Sequence, residues 1–504
     1  MKAEGGGQRA EGSGATPRLC KALGNAHQER WQRAEGMNSH WSLPLTSYLL
    51  LITYYSMNLA VASTILGQEE AVDILESVIE KSQADDVFVS LSSQESALSR
   101  FSENQISQNI QKNKFSLTIT SYFGKRSASA STTELDPDAI AQTLRRCEDL
   151  ARFAPEDPEW VELLAPQTYE ERQPAFDLAT ADLTPLTRGE IVQEVCQLSV
   201  KAGVAGSGTF STNVALQAIA NSAGLRGCDR NTRADFSFTA RQDNGSSWSQ
   251  LTAWGVEQLP ILDATEKVIQ KAILSRNPQE VAPGDYTVIF EPNAMAGLLP
   301  WVIWNMDARA ADEGRSFMSC TDEAGQPMGN RVGEELFSPL VQIQRNPTHP
   351  LLQSGRFFGN GLGNSYLEIV RDGSPQALSY SCYWAQQKGK EANGSFFPIV
   401  MAGSEKTVDD LIAGTEKGIL VTRAWYVRYV NPRTLEVTGM TRDGTFWIEE
   451  GKIAYPIKNL RFNQSLPAML KNIEAVGMTK RCGTSVIPAC KVNNFHFSSI
   501  TDSI

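Results

Sequence analysis

Apolar side chains recur at Ala71, Ile74, Leu75, Val78 and Ile79, the spacing of one helical face, and predict an amphipathic helix over Glu69 to Lys81. Val87 to Leu91 reads as a strand. Phe115, Leu117 and Ile119 alternate with polar residues as a half-buried strand does, and Ile140, Leu144, Cys147 and Ala151 return to helical spacing behind Pro137. Prolines at 155, 158, 166, 174 and 185 then interrupt any period and are read as an inter-domain connection. A helix is expected over Leu186 to Ala202, after which Val214 to Leu225 leads to a strand-like Phe236 to Ala240 closed by the turn Asp243-Asn244-Gly245. Another helix starts at Asp263, with Val268, Ala272 and Ile273 on one face, and ends at Pro278. From Tyr286 the chain becomes strand-rich. Its clearest stretch is an antiparallel meander of Ile419 to Val430, Leu435 to Thr441, Thr445 to Glu449 and Ile453 to Ile457, with turns expected at Asn431-Pro432, Arg442-Asp443-Gly444 and Gly451-Lys452.

With 504 residues, 41% apolar and 20% charged, the chain has material for two or three cores. Its 46 basic against 57 acidic residues give a net charge of −11, and no Lys/Arg cluster is long enough to track a phosphate backbone, which argues against direct nucleic-acid binding. The eight cysteines, Cys20, Cys147, Cys196, Cys228, Cys320, Cys382, Cys482 and Cys490, form neither a disulfide framework nor a CxxC knuckle. Such usage suits a reducing, cytoplasmic setting. One segment points the other way: Leu43 to Leu66 is uncharged and contains Leu49-Leu50-Leu51-Ile52, as an export signal or anchor would. Hydroxyl and amide side chains dilute it, and the Gly/Arg/Glu-rich flank carries both charge signs, so residues 1–67 are read as a disordered or misassigned leader, with no membrane association expected.

Zinc hydrolysis needs about three ligands and a base, commonly two histidines at helical spacing with a glutamate beside the first. The chain has four histidines: His27 and His40 in the leader, His349 between Pro347 and Pro350, and His496 near the end, so no two share a helix. There is no G-x-S-x-G nucleophile elbow. Gly203 to Gly208 lacks a Gly-Lys-Ser/Thr ending and follows a helix, and is read as a flexible loop. Asp307, Asp312 and Glu313 are read as a solvated face.

Several segments in order resemble the TldD/PmbA family of metalloprotease-related proteins, also called modulators of gyrase. They are the unit from Glu69 to Phe153, Ile219-Ala220-Asn221-Ser222-Ala223-Gly224, Pro283 to Pro292 with Gly297-Leu298-Leu299, and the tail from Asp410 through Gly418-Ile419-Leu420-Val421-Thr422-Arg423 and Gly451-Lys452-Ile453-Ala454-Tyr455-Pro456-Ile457 to Ile473. The resemblance implies an α+β fold: an N-terminal α/β unit followed by a C-terminal domain built on a large, curved, mainly antiparallel sheet. Boundaries are expected at 68–154 for the first unit, 155–262 for a linker and middle region, and 263–504 for the C-terminal domain. Active members carry H-E-x-x-x-H after the Gly-Leu-Leu-like run, with a later cysteine as third ligand. Here Pro300 and Asn305 stand in place of the histidines, Trp301 in place of the glutamate, and Cys482 near the cysteine. Gln344 to Ser379 is hard to match to the family's patterns, and Val430 to Gly439 lacks an acidic-aromatic motif common in many members.

This pattern resembles the family's metal-free PmbA/TldE branch. It implies no catalytic residue, no metal and no cofactor in this chain, with zinc held only by a TldD-type catalytic partner, and unfolded peptides as substrates read through their backbone at a sheet edge. The groove candidates are Trp301, Asn305, Thr422, Arg423 and Cys482. Trp301 and Trp304 are first read as core; Trp301 is expected to matter more for binding and Trp304 more for folding. Two other readings stay open: a stand-alone peptide-binding adaptor, and an independent hydrolase that uses Cys482 or another nucleophile.

Overall fold

The computed structural model describes residues 65–172 and 175–501. The leader up to residue 64, with His27, His40 and most of the apolar run, lies outside the described residues. The first expected helix runs Gln68–Lys81 (α1), with Ala71, Leu75 and Val78 buried. Two long strands follow, β1 (Asp86–Ser102) and β2 (Gln105–Phe123). They are joined through Glu103 and Asn104, both at positive φ, as a tight hairpin between twisted strands requires. Next come β3 (Arg126–Thr132), α2 (Pro137–Phe153) and α3 (Pro185–Lys201). Asp136 and Thr184 cap the two helices through Ala139 N–H and Thr187 N–H. β4 (Ala205–Asn221), β5 (Arg226–Gln242), β6 (Gly245–Ala253) and α4 (Ile261–Leu274) complete the unit.

These strands form one antiparallel sheet in the order β3-β2-β1-β4-β5-β6. One face is apolar because alternate residues point the same way: Val87, Val89, Leu91 and Phe101 on β1, Phe210, Leu216, Ala218 and Ala220 on β4. α1 and α2 cover one half of that face, and α3 and α4 cover the other half over Phe101, Phe210, Phe236 and Phe238.

Two expectations give way here. Residues 155–262 are not a linker and middle region, since they supply three of the six strands and pair with β1 from Phe88↔Asn221 to Phe101↔Gly208. The stretch after α2 is an extended strap: Asp157 N–H donates to Lys125 O, Asn221 Nδ2 to Leu164 O, and Tyr169 Oη to Gly361 O. Its prolines remove ladder donors, which keeps it out of the sheet without making it a boundary. Nor is Gly203 to Gly208 a flexible loop, because β4 begins inside it. A Cβ on Gly208 would come within 2.1 Å of Ser237 O and 2.7 Å of the Phe101 ring, so the glycine is there for close approach.

The C-terminal half opens with β7 (Gly284–Phe290), which turns into two short helices, α5 (Pro292–Met295) and α6 (Leu299–Trp304). β8 (Ser319–Thr321) and β9 (Pro327–Asn330) make a separate hairpin, and β10 (Ile343–Arg345), β11 (Leu367–Arg371), β12 (Ser374–Pro375) and β13 (Ile399–Met401) form a wing. The segment that was hard to match, Gln344 to Ser379, lies largely in this wing. The meander follows as β14 (Lys417–Asn431), β15 (Glu436–Glu449) and β16 (Lys452–Pro456), then β17 (Asn459–Ser465), β18 (Ile473–Cys482) and β19 (Ser485–Thr501). The wing joins β19 through β13, and the ring β19-β17-β15-β14-β7 closes because β7 also pairs with β19. Pairing is antiparallel except at β13–β19 and β14–β7. Inside the ring Phe495 meets Phe290 at 5.0 Å, Phe497 at 5.1 Å and Phe462 at 5.4 Å between ring centres. The molecule is thus α+β, with a large, curved, mainly antiparallel C-terminal sheet.

The turn expected at Arg442-Asp443-Gly444 is absent, and β15 runs straight through it. Val421 pairs with Thr445 and Arg423 with Arg442, so Asp443 and Gly444 together oppose Thr422 alone, which is a β-bulge. Positive φ at both residues, 56° and 109°, suits a hairpin turn or a bulge equally. The buried pairing of Asp443 with Arg423 accompanies the second.

Candidate functional site

On α6 the core stripe is Leu299, Val302 and Ile303. That spacing turns Trp301 and Trp304 to the other side. Trp301 is half-buried and stands edge-on to Tyr429, with ring centres 4.7 Å apart and planes at 87°, and 5.8 Å from Trp304. Trp304 reaches Phe397 at 6.0 Å yet is 58% exposed. The reading of Trp304 as a core residue is therefore corrected: a helix of six residues has room for one buried stripe, and the aliphatic residues take it. Asn305 follows as the helix cap and donates through Nδ2 to Trp301 O (2.7 Å) and to Tyr429 Oη (2.8 Å).

Thr422 and Arg423 lie at the bulge. Thr422 is buried and accepts from Lys271 Nζ at 3.5 Å, while the same ammonium pairs with Glu291 at 2.5 Å. Arg423 NH1 pairs with Asp443 Oδ2 at 2.7 Å, and its guanidinium lies over the rings of Trp248 (3.9 Å) and Trp425 (4.1 Å). Burial outweighs the pull of Asp443 and lowers the Arg423 pKa. Ser246 Oγ donates to Asp443 Oδ1 at 3.2 Å, so this cluster joins β6 of the N-terminal sheet to the bulged strand. Cys482 ends β18 and donates its S–H to Asn293 Oδ1 on α5 at 3.2 Å; burial pushes the thiol up to about 11, so it stays protonated and poorly nucleophilic near neutrality.

The five candidates thus fall into two groups along β14: Trp301 and Asn305 at its Tyr429 end, Thr422 and Arg423 at the bulge, with Cys482 joined to α5. Sequence reasoning missed Lys271, Glu291, Asn293, Trp248, Asp443 and Tyr429. The one legible signal was the aromatic density of Trp425-Tyr426 and Tyr429 in a strand otherwise read as half-buried. β14 pairs with β7 only through Ile419–Val421, so further along its second side has no strand partner among the described residues. α5 and the turn after it cover Ala424, where a Cβ on Gly297 would lie 3.1 Å from Ala424 O. Beyond, Trp425, Tyr426, Tyr429 and Val430 are exposed.

Zinc, which the resemblance implies for active members, does not fit these residues. Pro300 and Trp301 offer no side-chain lone pair for a metal, and what remains, the Asn305 amide oxygen and the part-buried Cys482 thiol, falls short of the three protein ligands such a site needs. Among the described residues no group of three or more His, Cys, Asp or Glu side chains converges as metal ligands do. His496 Nδ1 lies 2.9 Å from Asp285, and His349 Nδ1 accepts from Leu351 N–H. The acidic run is structural: Asp307 caps the helix Ala308–Asp312, Asp312 accepts from Trp384 Nε1, and Glu313 pairs with Arg309 and Arg315. Among the described residues no helix is long and apolar enough to cross a membrane.

Residues 283–499 match the family model for the PmbA/TldA metallopeptidase C-terminal domain. The chain is 24% identical over 453 residues to Metalloprotease PmbA of Escherichia coli O157:H7, covering 84% of this chain and 95% of that protein. It is 23% identical over 379 residues to the Metalloprotease PmbA homolog of Haemophilus influenzae, covering 71% and 80%. The fold is that of TldE from Thermococcus kodakarensis, with a TM-score of 0.76 at 18% identity over 85% of this chain and 100% of the other. With the segments already quoted in the same order along the chain, these matches support the TldD/PmbA family, whose C-terminal domain residues 283–499 match.

Proposed function

We propose that this chain is a non-catalytic, PmbA/TldE-like subunit of a cytoplasmic metallopeptidase complex, one that holds unfolded peptides for a zinc-bearing TldD-type partner. The observation that carries the reading is the composition of the segment after Gly297-Leu298-Leu299, where Pro300, Trp301 and Asn305 stand at the positions that the family resemblance gives to the residues that bind zinc and move a proton in active members. A proline and an indole can do neither.

Peptide holding draws support from the side of β14 that lacks a strand partner. An extended chain adding to such an edge is bound by main-chain hydrogen bonds, which every sequence offers. The exposed rings of Trp425, Tyr426, Tyr429 and Trp304 supply apolar contact with little sequence demand. The test is metal analysis and peptidase assay of the purified chain, alone and with a TldD-type protein. Zinc is expected near zero in the lone chain, and cleavage only in the mixture. Stoichiometric zinc, or cleavage by the lone chain, would overturn the proposal.

A further inference from the structure

α1 and α2 cover the same half of the N-terminal sheet and leave a groove of about 870 Å³ between them. Ile74 and Val78 from α1 and Ile140 and Leu144 from α2, each pair at helical spacing, make its apolar floor, with Leu135 just before α2. Charge surrounds that floor. Five carboxylates against three cations line the groove. Arg152 is already engaged with Asp149 at 3.9 Å and with the Phe123 ring at 4.5 Å, whereas Glu69, Glu70 and Asp73 at the start of α1 form no ion pair among the described residues. Glu148 is the informative group. It is only 5% exposed, and Ser82 Oγ (3.1 Å) and Gln83 N–H (2.7 Å) both donate to its Oε1. Oε2 takes part in no hydrogen bond or ion pair among the described residues, yet it is not shut away from solvent, so it opens into the groove that Glu148 lines. A carboxylate nine-tenths buried and without a cation is stabilised by one that arrives.

We infer that this groove receives a basic amphipathic helix of a partner protein, with a lysine or arginine of that helix reaching Glu148 Oε2. The excess of carboxylates selects a basic partner, and the floor selects an apolar stripe. The form of the partner follows from the walls. Both are helices whose backbone groups are bonded internally, so the groove offers no strand edge and recognition runs through side chains. A helix carries apolar residues at i, i+3, i+4 and i+7 on one face and lays them in such a groove, while flanking lysines extend to its rims. From Pro137 to Arg152 the groove is about 22 Å long by helical rise, which suits a partner helix of about four turns. None of its residues belongs to β14 or α6, so the inference stands apart from the peptide-holding reading.

Fluorescence anisotropy with the full chain tests it. The probe is a labelled peptide of leucine, lysine and alanine, about 16 residues long, with leucines at i, i+3, i+4 and i+7. Its controls are the same composition scrambled to break the stripe, and the striped peptide with glutamate in place of lysine. The striped basic peptide should bind about tenfold more tightly than either control, and an excess of unlabelled unstructured peptide should not displace it. Glu148→Gln keeps an acceptor for Ser82 and Gln83 but removes the charge, and should weaken binding about tenfold, as one hydrogen bond to a charged group allows. Asp73→Lys, at an exposed position on the rim, should weaken it too, while Glu323→Lys, exposed on another part of the chain, should not. The comparison of peptides on the wild type needs no variant to fold. Failure of the striped peptide to bind, equal binding of all three, displacement by the unstructured peptide, or wild-type affinity in Glu148→Gln would overturn the inference. So would a dimer of the chain alone that Asp73→Lys dissociates in sedimentation velocity, because the groove would then belong to a second copy.

Discussion

The two sheets handle register differently. In the N-terminal sheet the pairs β1–β4, β2–β3, β4–β5 and β5–β6 run without interruption, and β1–β2 slips only once, between Arg100 and Phe101. Around the C-terminal ring β14–β15 slips three times, and β17–β19, β18–β19 and β19–β7 each slip as well. Unbroken register keeps every second side chain on one apolar face, and four helices bury it. Each slip re-aims the residues around it. Arg423, Asp443, Trp425 and Tyr426 all lie at such slips, so the regular sheet is covered by helices, while the irregular one carries the polar and aromatic groups to which the proposed function assigns peptide contact.

This contrast can be broken by mutation. Phe238→Ala, at a fully buried ring of the regular sheet, should cost about 3–5 kcal/mol in denaturant titration while the folded fraction keeps its peptide affinity; a fall in that affinity would show that the scaffold is not separable from the site. Asp443→Ala should cost about 3 kcal/mol, because Arg423 is left half-buried without its partner. It should also weaken peptide binding. Full stability in that variant would mean that the bulge does not depend on the ion pair, and Arg423→Met combined with Asp443→Leu should recover much of the loss.

Smaller effects sharpen the comparison. Trp304→Ala should change stability by no more than about 0.5 kcal/mol, less than Trp301→Ala, the reverse of the order expected from sequence. A melting-temperature series on the two variants checks it. Cys482 gives a pH signature. Its thiol is raised to about 11 by burial, so alkylation of the native chain should climb through pH 11, whereas the denatured chain levels off near the ordinary cysteine value. Because the folded-state value is the higher one, the corresponding stability is whole below the ordinary cysteine value and lost as pH rises through about 11. Rapid labelling at pH 7 would show the thiol to be activated and revive the hydrolase reading.

Much of the architecture was legible because it is written at short range. The stripe Ala71, Leu75, Val78 and the alternation Leu117, Ile119 follow helix and strand periods, and both segments are buried as those periods require. The residues after Gly297-Leu298-Leu299, with Pro300, Trp301 and Asn305, are likewise read from the sequence alone, and their standing in place of ligands is what the family resemblance implies. What the residues could not state is who pairs with whom. Phe88 meets Asn221 across more than a hundred residues, so a proline-rich stretch looked like a boundary when it is a strap along a single sheet. Asp443-Gly444 satisfies a turn and a bulge equally, and only burial of Asp443 against Arg423 and Ser246 distinguishes them. Likewise Trp301 and Trp304 share a helix face in any reading, but which face turns inward depends on the strands that pack beneath α6. Local periodicity is set by backbone geometry a few residues at a time; closure of the ring and the choice of bulge come from contacts between distant segments, and those belong to the tertiary structure.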